Sequence, residues 1–325
     1  MIKRIAIVTP GGDAPGINAA IRAVVRKSLT LGIKTYGIKR GYAGLLDDEF
    51  IELDWKSVSG IMEFGGTILH TERFEKFNEE EYIDKACEIL YKRKIDGLIV
   101  IGGEGSLSGG NRINKTGKIG VIGIPGSIDN DIYGTDETIG FDTACNTAVE
   151  AIKKIKDTST SYERIFVIEV MGKRRGFIAL NVGITVGAEA IVIPEIRFDI
   201  ERFIELLNEG KKKGMKRAII VYAEGVGGRK EFVERLSKET GLIVRETVLG
   251  YIQRGGSPTY RSRILASMFG SFGIDVLLQN PKGAKMVGIK GGTLNIIDIE
   301  SAIKHPKSID DFLLNLHRDI CVFKL

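Results

Sequence analysis

The sequence contains few of the residues from which metal centres and nucleophilic sites are built. It has three histidines and three cysteines in 325 residues. The cysteines Cys87, Cys145 and Cys321 are widely spaced and form no CxxC pair, so neither a zinc site nor a disulfide framework is predicted. No Cys–His or Ser–His–Asp set for nucleophilic hydrolysis emerges. We expect three buried, reduced thiols, with His70 in a turn and the other two histidines in a C-terminal tail.

Long apolar runs and concentrated charge are also missing. No apolar run approaches the roughly 18 residues of a membrane span. The net charge is only +5, and the basic residues are dispersed rather than arranged as a nucleic-acid stripe. The N-terminus leads directly into strand-like residues 5–8, with no signal peptide before them. We therefore expect a cytoplasmic protein that binds neither membrane nor nucleic acid.

Short apolar strands alternate with amphipathic helices along the chain. Residues 5–9 read as a strand, residues 11–16 as a glycine turn, and apolar residues from Ile17 to Val25 then recur at helical spacing. The same order of strand, turn and helix recurs through residues 34–38, 98–101, 164–170 and 217–222. This alternation predicts an α/β fold of parallel sheets covered by helices on both faces.

The stretch at residues 125–131, Pro-Gly-Ser-Ile-Asp-Asn-Asp, is the most informative part of the sequence. It places Asp129 and Asp131 just beyond an apolar strand at 119–124. Ligands of open α/β sheets bind beyond the strand ends, and one of two close carboxylates is a natural general base. Two ordinary turns rich in glycine and aspartate remain an equal alternative from spacing alone.

Two further glycine-rich turns fit a phosphate ligand. Residues 102–106 follow an apolar strand and include Glu104, a carboxylate able to hold Mg²⁺. Residues 11–16 match neither a Walker loop nor a dinucleotide fingerprint, yet they bring backbone N–H groups to a helix N-terminus, which suits a phosphate. Arg254, beside paired glycines, could approach an anion, and Arg164 and Arg245 could join it.

Read together, these turns resemble the phosphofructokinase family, specifically its bacterial ATP-dependent members. The resemblance runs nearly end to end. The segments that carry it are Gly11–Gly16 with Asn18–Arg22, Gly41-Tyr42, Arg73-Phe74, Gly102–Ser106, Pro125–Asp131, Met171-Gly172, Glu224-Gly225 and Leu249–Pro258.

The resemblance implies two doubly wound, Rossmann-like parallel-sheet domains with the active site between them. Residues 1–139 with 252–304 would form a nucleotide-binding domain, and residues 140–251 with 305–325 a sugar-phosphate-binding domain. The implied reaction transfers the γ-phosphoryl group of ATP to the 1-hydroxyl of fructose 6-phosphate, giving fructose 1,6-bisphosphate in glycolysis. Mg²⁺ would be the cofactor and ATP the co-substrate.

The resemblance also assigns roles to residues. Asp129 would be the general base, and the expected catalytic residues are Gly12, Arg73, Ser127, Asp129 and Lys173. The expected ATP site consists of Gly12, Arg73, Phe74, Gly103, Glu104, Gly105 and Ser106, with Glu104 and Asp131 near the metal. The expected sugar-phosphate site consists of Ser127, Ile128, Asp129, Arg164, Met171, Gly172, Lys173, Glu224, Arg245, Tyr251 and Arg254.

Two small residues indicate the phosphoryl donor. In the family, ATP enzymes have glycines at two positions where pyrophosphate enzymes carry Asp and Lys; here these are Gly105 and Gly126. Four positions depart from the bacterial pattern: Glu104 replaces Asp, Ser127 replaces Thr, Lys173 replaces an Arg that helps to hold the transferring phosphate, and Tyr251 replaces a His. These departures put the metal position and the acceptor sugar in question.

By the same resemblance the protein would be a homotetramer, with Arg164 and Arg245 supplied to the neighbouring active site. An effector site for ADP or phosphoenolpyruvate would include Arg22, Arg26, Lys156, Glu189 and Lys213. Trp55 stands where the pattern has a basic residue, so weak or altered effector control is expected. An ordinary basic subunit surface is the alternative.

Three other functions stay open at this point. The protein could be a relative that uses pyrophosphate or phosphorylates a different sugar phosphate. It could be a catalytically weak paralogue that senses phosphorylated metabolites, although Asp129 and Asp131 argue against this. An NAD- or lipid-kinase-like protein shares only a glycine turn with this sequence.

Overall fold

The computed structural model describes residues 2–321. The chain divides into two compact units, Met1–Thr143 with Arg254–Lys307 and Ala144–Gln253 with Ser308–Leu325. It therefore passes from one unit to the other three times. The strands are β1 (Arg4–Val8), β2 (Lys34–Ile38), β3 (Phe50–Leu53), β4 (Gly97–Gly102), β5 (Gly120–Ser127), β6 (Ile139–Gly140), β7 (Ile165–Val170), β8 (Ala190–Val192), β9 (Ala218–Ala223), β10 (Val244–Val248), β11 (Ala284–Lys290) and β12 (Thr293–Asp298).

Helices connect most of these strands. They are α1 (Ile17–Thr30), α2 (Gly41–Leu46), α3 (Glu80–Lys92), α4 (Glu104–Gly117), α5 (Phe141–Tyr162), α6 (Phe177–Val186), α7 (Ile200–Lys212), α8 (Arg229–Thr240), α9 (Tyr260–Gln279), α10 (Ile299–Lys304) and α11 (Asp311–Ile320). The predicted α/β class is confirmed.

The first unit is built on one sheet with the strand order β12-β11-β5-β4-β1-β2-β3. The short strand β6 pairs with the last two residues of β5. Strands β2, β1, β4, β5 and β11 run parallel. The edge strands β3 and β12 are antiparallel to their neighbours. The sequence predicted parallel sheets only. A tight turn at Gly291 and Gly292 returns the chain from β11 to β12, whereas the connection from β2 to β3 contains the short helix α2.

Both faces of this sheet are covered by helices. On one face Ala6, Leu98 and Val100 pack with Leu90 of α3 and Leu107 of α4. On the other face α1 lies along α9. These two helices approach closely because Gly270 has no side chain: a Cβ there would lie 2.7 Å from the carbonyl oxygen of Ala20.

The strand β5 is longer than the sequence predicted. The expected strand ended at residue 124, whereas β5 continues to Ser127. Its last residues stay in the sheet because Pro125 pairs with Gly102 of β4 and Gly126 pairs with Ile139 of β6. Asp129 therefore lies two residues beyond the strand end.

The second unit has a smaller, fully parallel sheet with the order β10-β7-β9-β8. Its core contains Phe203 of α7, Phe232 of α8 and Ile220 of β9. Helix α11 packs on α6 and buries His317 to 1% exposure. His305 follows the last residue of α10. His305 and His317 were expected in a C-terminal tail, whereas His317 lies within helix α11.

Of the three cysteines, only Cys321 is buried. Cys87 and Cys145 are half-buried, so the expectation of three buried cysteines is wrong for two of them. Among the described residues, no helix has both the length and the apolar content needed to cross a membrane.

Candidate functional site

The carboxyl ends of β1, β4 and β5 meet at one edge of the first sheet. Val8 pairs with Val100, and Gly102 pairs with Pro125, so the turns that follow these strands are neighbours. Strands β2 and β3 lie on one side of β1, whereas β4 and β5 lie on its other side. This reversal of strand order next to β1 is the position at which open α/β sheets form a ligand crevice.

The turn after β4 presents open space in front of a helix. Only Gly103 separates β4 from α4, and the N–H of Leu107 makes a backbone bond to the carbonyl oxygen of Gly103. The N–H groups of the first helical residues have no partner within the helix. A Cβ added at Gly103 or Gly105 would meet no described atom within 4 Å. This helix end therefore has exposed donors and room for a phosphate.

Ser106 connects this helix end to the turn after β1. Its hydroxyl donates to the carbonyl oxygen of Pro10 at 2.5 Å, and its own carbonyl accepts from the Tyr42 hydroxyl at 2.5 Å. Burial raises the pKa of Tyr42, so this phenol stays a donor. The Ser106 hydroxyl, expected at the ATP site, is used inside the protein, and its backbone N–H is the group available to a ligand.

Arg254 covers the turn after β1. Its guanidinium Nη1 lies 3.5 Å from the carbonyl oxygen of Asp13, and a Cβ at Gly12 would lie only 2.4 Å from that nitrogen. A side chain at Gly12 would thus displace the guanidinium of Arg254. The Nε of Arg254 is buried and has no hydrogen-bond partner among residues 2–321, which leaves donor capacity for an anion.

Asp129 and Asp131 lie in the loop between β5 and β6. Asp129 is 2% exposed, and its N–H donates to Ser127 Oγ at 3.2 Å. Ser127 Oγ in turn donates to Asp131 Oδ1 at 3.4 Å. Asn130 between them adopts a left-handed backbone with φ 54°. Local hydrogen bonds to Ser127 thus hold the backbone of Asp129 and the carboxylate of Asp131.

Two residues expected at the ATP site lie on a neighbouring segment. Thr71 Oγ1 donates to the carbonyl oxygen of Gly11 at 2.6 Å, which ties this segment to the turn after β1. Arg73 is exposed. Phe74 is half-buried and meets the ring of Tyr82 edge-on at 5.1 Å, so part of its role is structural.

The second unit has its own group of predicted residues at the carboxyl edge of its sheet. Glu224 follows β9, and its Oε1 accepts from the N–H groups of Gly172 at 3.1 Å and Lys173 at 2.6 Å. Met171 follows β7, and its N–H donates to Gln253 Oε1 at 3.4 Å. Glu224 therefore fixes the turn that contains Met171, Gly172 and Lys173.

Arg164 and Arg245 lie at the opposite end of the same sheet. Arg164 precedes β7, whereas Met171 follows it, and the six residues of β7 span about 20 Å. Arg245 pairs with Phe166, near the amino end of β7. These two arginines cannot join Met171 and Lys173 within one chain. Tyr251 is 83% exposed.

The predicted effector residues belong to both units. On α1, Arg22 and Arg26 are one helical turn apart, and burial together with the charge of Arg26 lowers the pKa of Arg22. Arg26 stacks over the Trp55 ring at 5.3 Å. In the second unit Lys156 Nζ donates to the carbonyl oxygen of Val186, and Glu189 Oε2 accepts from the N–H of Ile219, both at 2.6 Å. Lys213 is exposed.

Sequence reasoning missed the side chains that hold these loops. Asn130, Thr138 and Lys307 support the loop of Asp129, and Gln253 supports Met171. Asn130 and Gln253 stood inside recognised motifs, which was the available signal. Lys307 has no motif. No group of three or more His, Cys, Asp or Glu side chains within the described part of the chain could hold a metal ion.

Comparisons of the sequence point to one family. The profile of the family described as Phosphofructokinase matches residues 4–277. The chain is 48% identical over 315 residues to "ATP-dependent 6-phosphofructokinase 1" of Clostridium perfringens, covering 97% of this chain and 98% of the relative. The same identity and coverage relate it to an "ATP-dependent 6-phosphofructokinase" of Clostridium botulinum.

Solved structures give the same result for the fold. The phosphofructokinase of Saccharomyces cerevisiae superposes with a TM-score of 0.88 at 32% identity, over 98% of this chain and 48% of the yeast chain. A pyrophosphate-dependent phosphofructokinase from Marinobacter aquaeolei superposes with a TM-score of 0.84 at 20% identity, over 100% of this chain and 93% of that protein. The second likeness concerns the fold alone.

Proposed function

Because this chain belongs to the phosphofructokinase family, we propose that it is an ATP-dependent 6-phosphofructokinase. It transfers the γ-phosphoryl group of ATP to the 1-hydroxyl of fructose 6-phosphate, and fructose 1,6-bisphosphate and ADP leave. The observation that carries this proposal is the buried carboxylate of Asp129 at the same sheet edge as the exposed amides of α4. The proposal includes a glycolytic role and a cytoplasmic location.

Asp129 is the proposed general base. It takes the proton of the 1-hydroxyl while that oxygen forms a bond to the γ-phosphorus and the bond to the β-phosphate bridging oxygen breaks. A placed base contributes about 10²–10⁴-fold to the rate. The remaining acceleration comes from positioning and from neutralising the charge of the phosphoryl group.

The residues beyond β1 and β4 are the proposed nucleotide site. Gly12, Gly103, Gly105 and the N–H of Ser106 take the phosphates, with Arg73 and Phe74 at the side. Ser127, Ile128, Met171, Gly172, Lys173, Glu224, Tyr251 and Arg254 are the proposed sugar-phosphate contacts. Lys173 and Tyr251 bear on the choice of acceptor, since an ammonium is a poorer match to a phosphate than a guanidinium fork.

Mg²⁺ is the proposed cofactor, held by Glu104 and Asp131. Their carboxylates follow the neighbouring strands β4 and β5, and carboxylate oxygens fit this hard cation. Proteins usually hold Mg²⁺ through one or two carboxylates together with substrate phosphates and water, so two carboxylates suffice. The metal would neutralise charge on the β- and γ-phosphates.

The space around Gly105 supports ATP as donor. A side chain at Gly105 would project into open space in front of α4, and an Asp there would repel a phosphate and fill its place. Gly126 is buried, and a Cβ would lie 3.3 Å from Ile101 Cγ2. A lysine at Gly126 would thus require this packing to change.

A coupled assay tests the donor and the acceptor together. We expect turnover with fructose 6-phosphate, Mg²⁺ and ATP, and none above background with pyrophosphate. Gly105→Asp should reduce turnover with ATP, because it removes the space for the nucleotide. Turnover with pyrophosphate alone would contradict the donor assignment, and turnover with neither donor would favour another sugar phosphate or a sensing role.

Substitution of the proposed base gives a second test. Asp129→Ser should lower kcat by about 10²–10⁴-fold while the KM for fructose 6-phosphate changes little. Asp275→Ser serves as the control, since Asp275 makes a surface ion pair with Lys27. Steady-state kinetics of the three proteins provide the measurement, and a normal kcat for Asp129→Ser would refute the assignment.

Complementation between inactive variants tests the shared site. Since Arg164 and Arg245 lie far from Met171 in their own chain, we propose a homotetramer in which they complete a neighbour's site. Co-expression of Asp129→Ser with Arg164→Ser chains should restore activity, because about half of the sites shared by a hybrid pair are then intact. In the control, Arg164→Ser chains are co-expressed with chains that carry both Asp129→Ser and Arg164→Ser, and no shared site is then intact. If both mixtures stay equally inactive, the arginines are not shared.

Effector titration tests the last part of the proposal. The paired charges of Arg22 and Arg26 suit an anion such as ADP or phosphoenolpyruvate, but Trp55 supplies no charge. We expect either effector to shift the half-saturating fructose 6-phosphate concentration by less than about fivefold, the lower end of typical coupling. Trp55→Lys should enlarge the shift, whereas Leu31→Lys, at another exposed position, should not. A large shift in the unaltered protein would contradict this expectation.

A further inference from the structure

Lys307 lies outside every motif, yet its side chain reaches the loop that contains Asp129. Its Nζ donates to Asn130 Oδ1 at 2.8 Å and to the carbonyl oxygen of Asp136 at 2.9 Å. Lys307 and Asn130 are 177 positions apart in the sequence. Lys307 follows α10 and is the last residue of the first unit before the chain enters the second. The Lys307 side chain thus links the loop of Asp129 to the point at which the chain leaves the first unit.

The loop of residues 128–138 depends on side chains because β5 is not followed directly by a helix. The turns after β1 and β4 are each followed directly by a helix, whose backbone bonds fix their geometry. Residues 128–138 have no such support and end at the two-residue strand β6. Their backbone groups must therefore find side-chain partners.

Asn130 is the centre of this support. Its Nδ2 donates to the carbonyl oxygen of Asp136 at 3.2 Å, and its Oδ1 accepts from the N–H of Thr138 at 3.0 Å. These bonds close the loop on itself while Asn130 holds its left-handed backbone. The Lys307 ammonium binds both Asn130 and Asp136, so it stabilises the closed conformation of the loop from outside.

The charges around Lys307 favour this contact. Burial lowers the pKa of Lys307 to about 8, and the negative charges of Asp136, Asp131 and Glu137 offset part of this effect. Asp136 Oδ2 accepts from the N–H of Gly291, and Glu137 pairs with Arg261. The ammonium therefore lies among carboxylates that are themselves held in place, and such networks fix geometry more strongly than single bonds.

We propose that Lys307 is a positioning residue, which acts through Asn130 to set the direction of Asp129 and Asp131. The inference rests on the proposed function, since Asp129 matters only if it is the base. The role differs from that of a surface ion pair, because loss of Lys307 should displace the loop without unfolding the unit. A displacement of about 1 Å at a reacting group can cost 10²-fold in rate.

Kinetics of Lys307→Met test the proposal. We expect kcat to fall about 10- to 100-fold, with the KM for ATP changed less than about threefold, because the nucleotide turns are fixed independently. Lys304→Met is the matched control: Lys304 lies three positions earlier and makes an exposed ion pair with Glu300. An unchanged kcat in Lys307→Met would overturn the proposal.

A double variant shows whether Lys307 acts through Asp129. In the Asp129→Ser background, Lys307→Met should lower the residual kcat by less than about twofold, because residues acting as a unit are not additive. A further drop as large as in the unaltered protein would mean that Lys307 acts elsewhere, and would refute the role.

Amide hydrogen exchange separates this proposal from the proposed activity. Exchange across residues 128–138 should be at least tenfold faster in Lys307→Met than in Lys304→Met, with the exchange of β4 unchanged. Equal exchange in the two variants would overturn the positioning role whatever reaction the protein catalyses. If the protein is inactive with ATP and fructose 6-phosphate but exchange is faster in Lys307→Met, the positioning role of Lys307 stands and only the proposed activity is rejected.

Discussion

The site depends on the close packing of two backbone turns, which one hydrogen bond fastens together. Ser106 Oγ donates to the carbonyl oxygen of Pro10, and this joins the start of α4 to the turn after β1. Glycines are required around this bond, because a Cβ at Gly102 would lie 2.5 Å from Ser106 Oγ. The exposed amides of α4 and the Arg254 guanidinium over Gly12 are presented at the same sheet edge as a result.

Two kinds of support meet at this edge. The turns after β1 and β4 are each followed by a helix, and the Ser106 hydroxyl joins them to one another. The loop after β5 carries the buried carboxylate and has no helix, so Ser127, Asn130, Thr138 and Lys307 supply its bonds. The carboxylate proposed as the general base is thereby placed by side chains, whereas the proposed phosphate site consists of backbone amides. Each kind of group suits the chemistry proposed for it.

Much of the fold was predictable from residue patterns. Strand β2 and the start of α1 were anticipated, since apolar alternation and glycine turns mark them directly. The end of β5 was not, because Pro125 and Gly126 are typical of turns, and only their pairing with Gly102 and Ile139 keeps them in the sheet. The antiparallel edges and the partial exposure of Cys87 were missed for the same reason, since each depends on a distant neighbour.

The sequence by itself determined the fold class, the family and the three turns of the site, because these are local patterns of glycine, carboxylate and apolar residues in a specific order. Only the tertiary structure decided what each side chain does. It turned the Ser106 hydroxyl inward, used one oxygen of Glu224 to hold a turn, set Arg164 and Met171 at opposite sheet ends, and brought Lys307 to Asn130. Hydrogen bonds between residues far apart in the chain leave no periodic signal in the sequence, so these roles emerge only when the strands are paired.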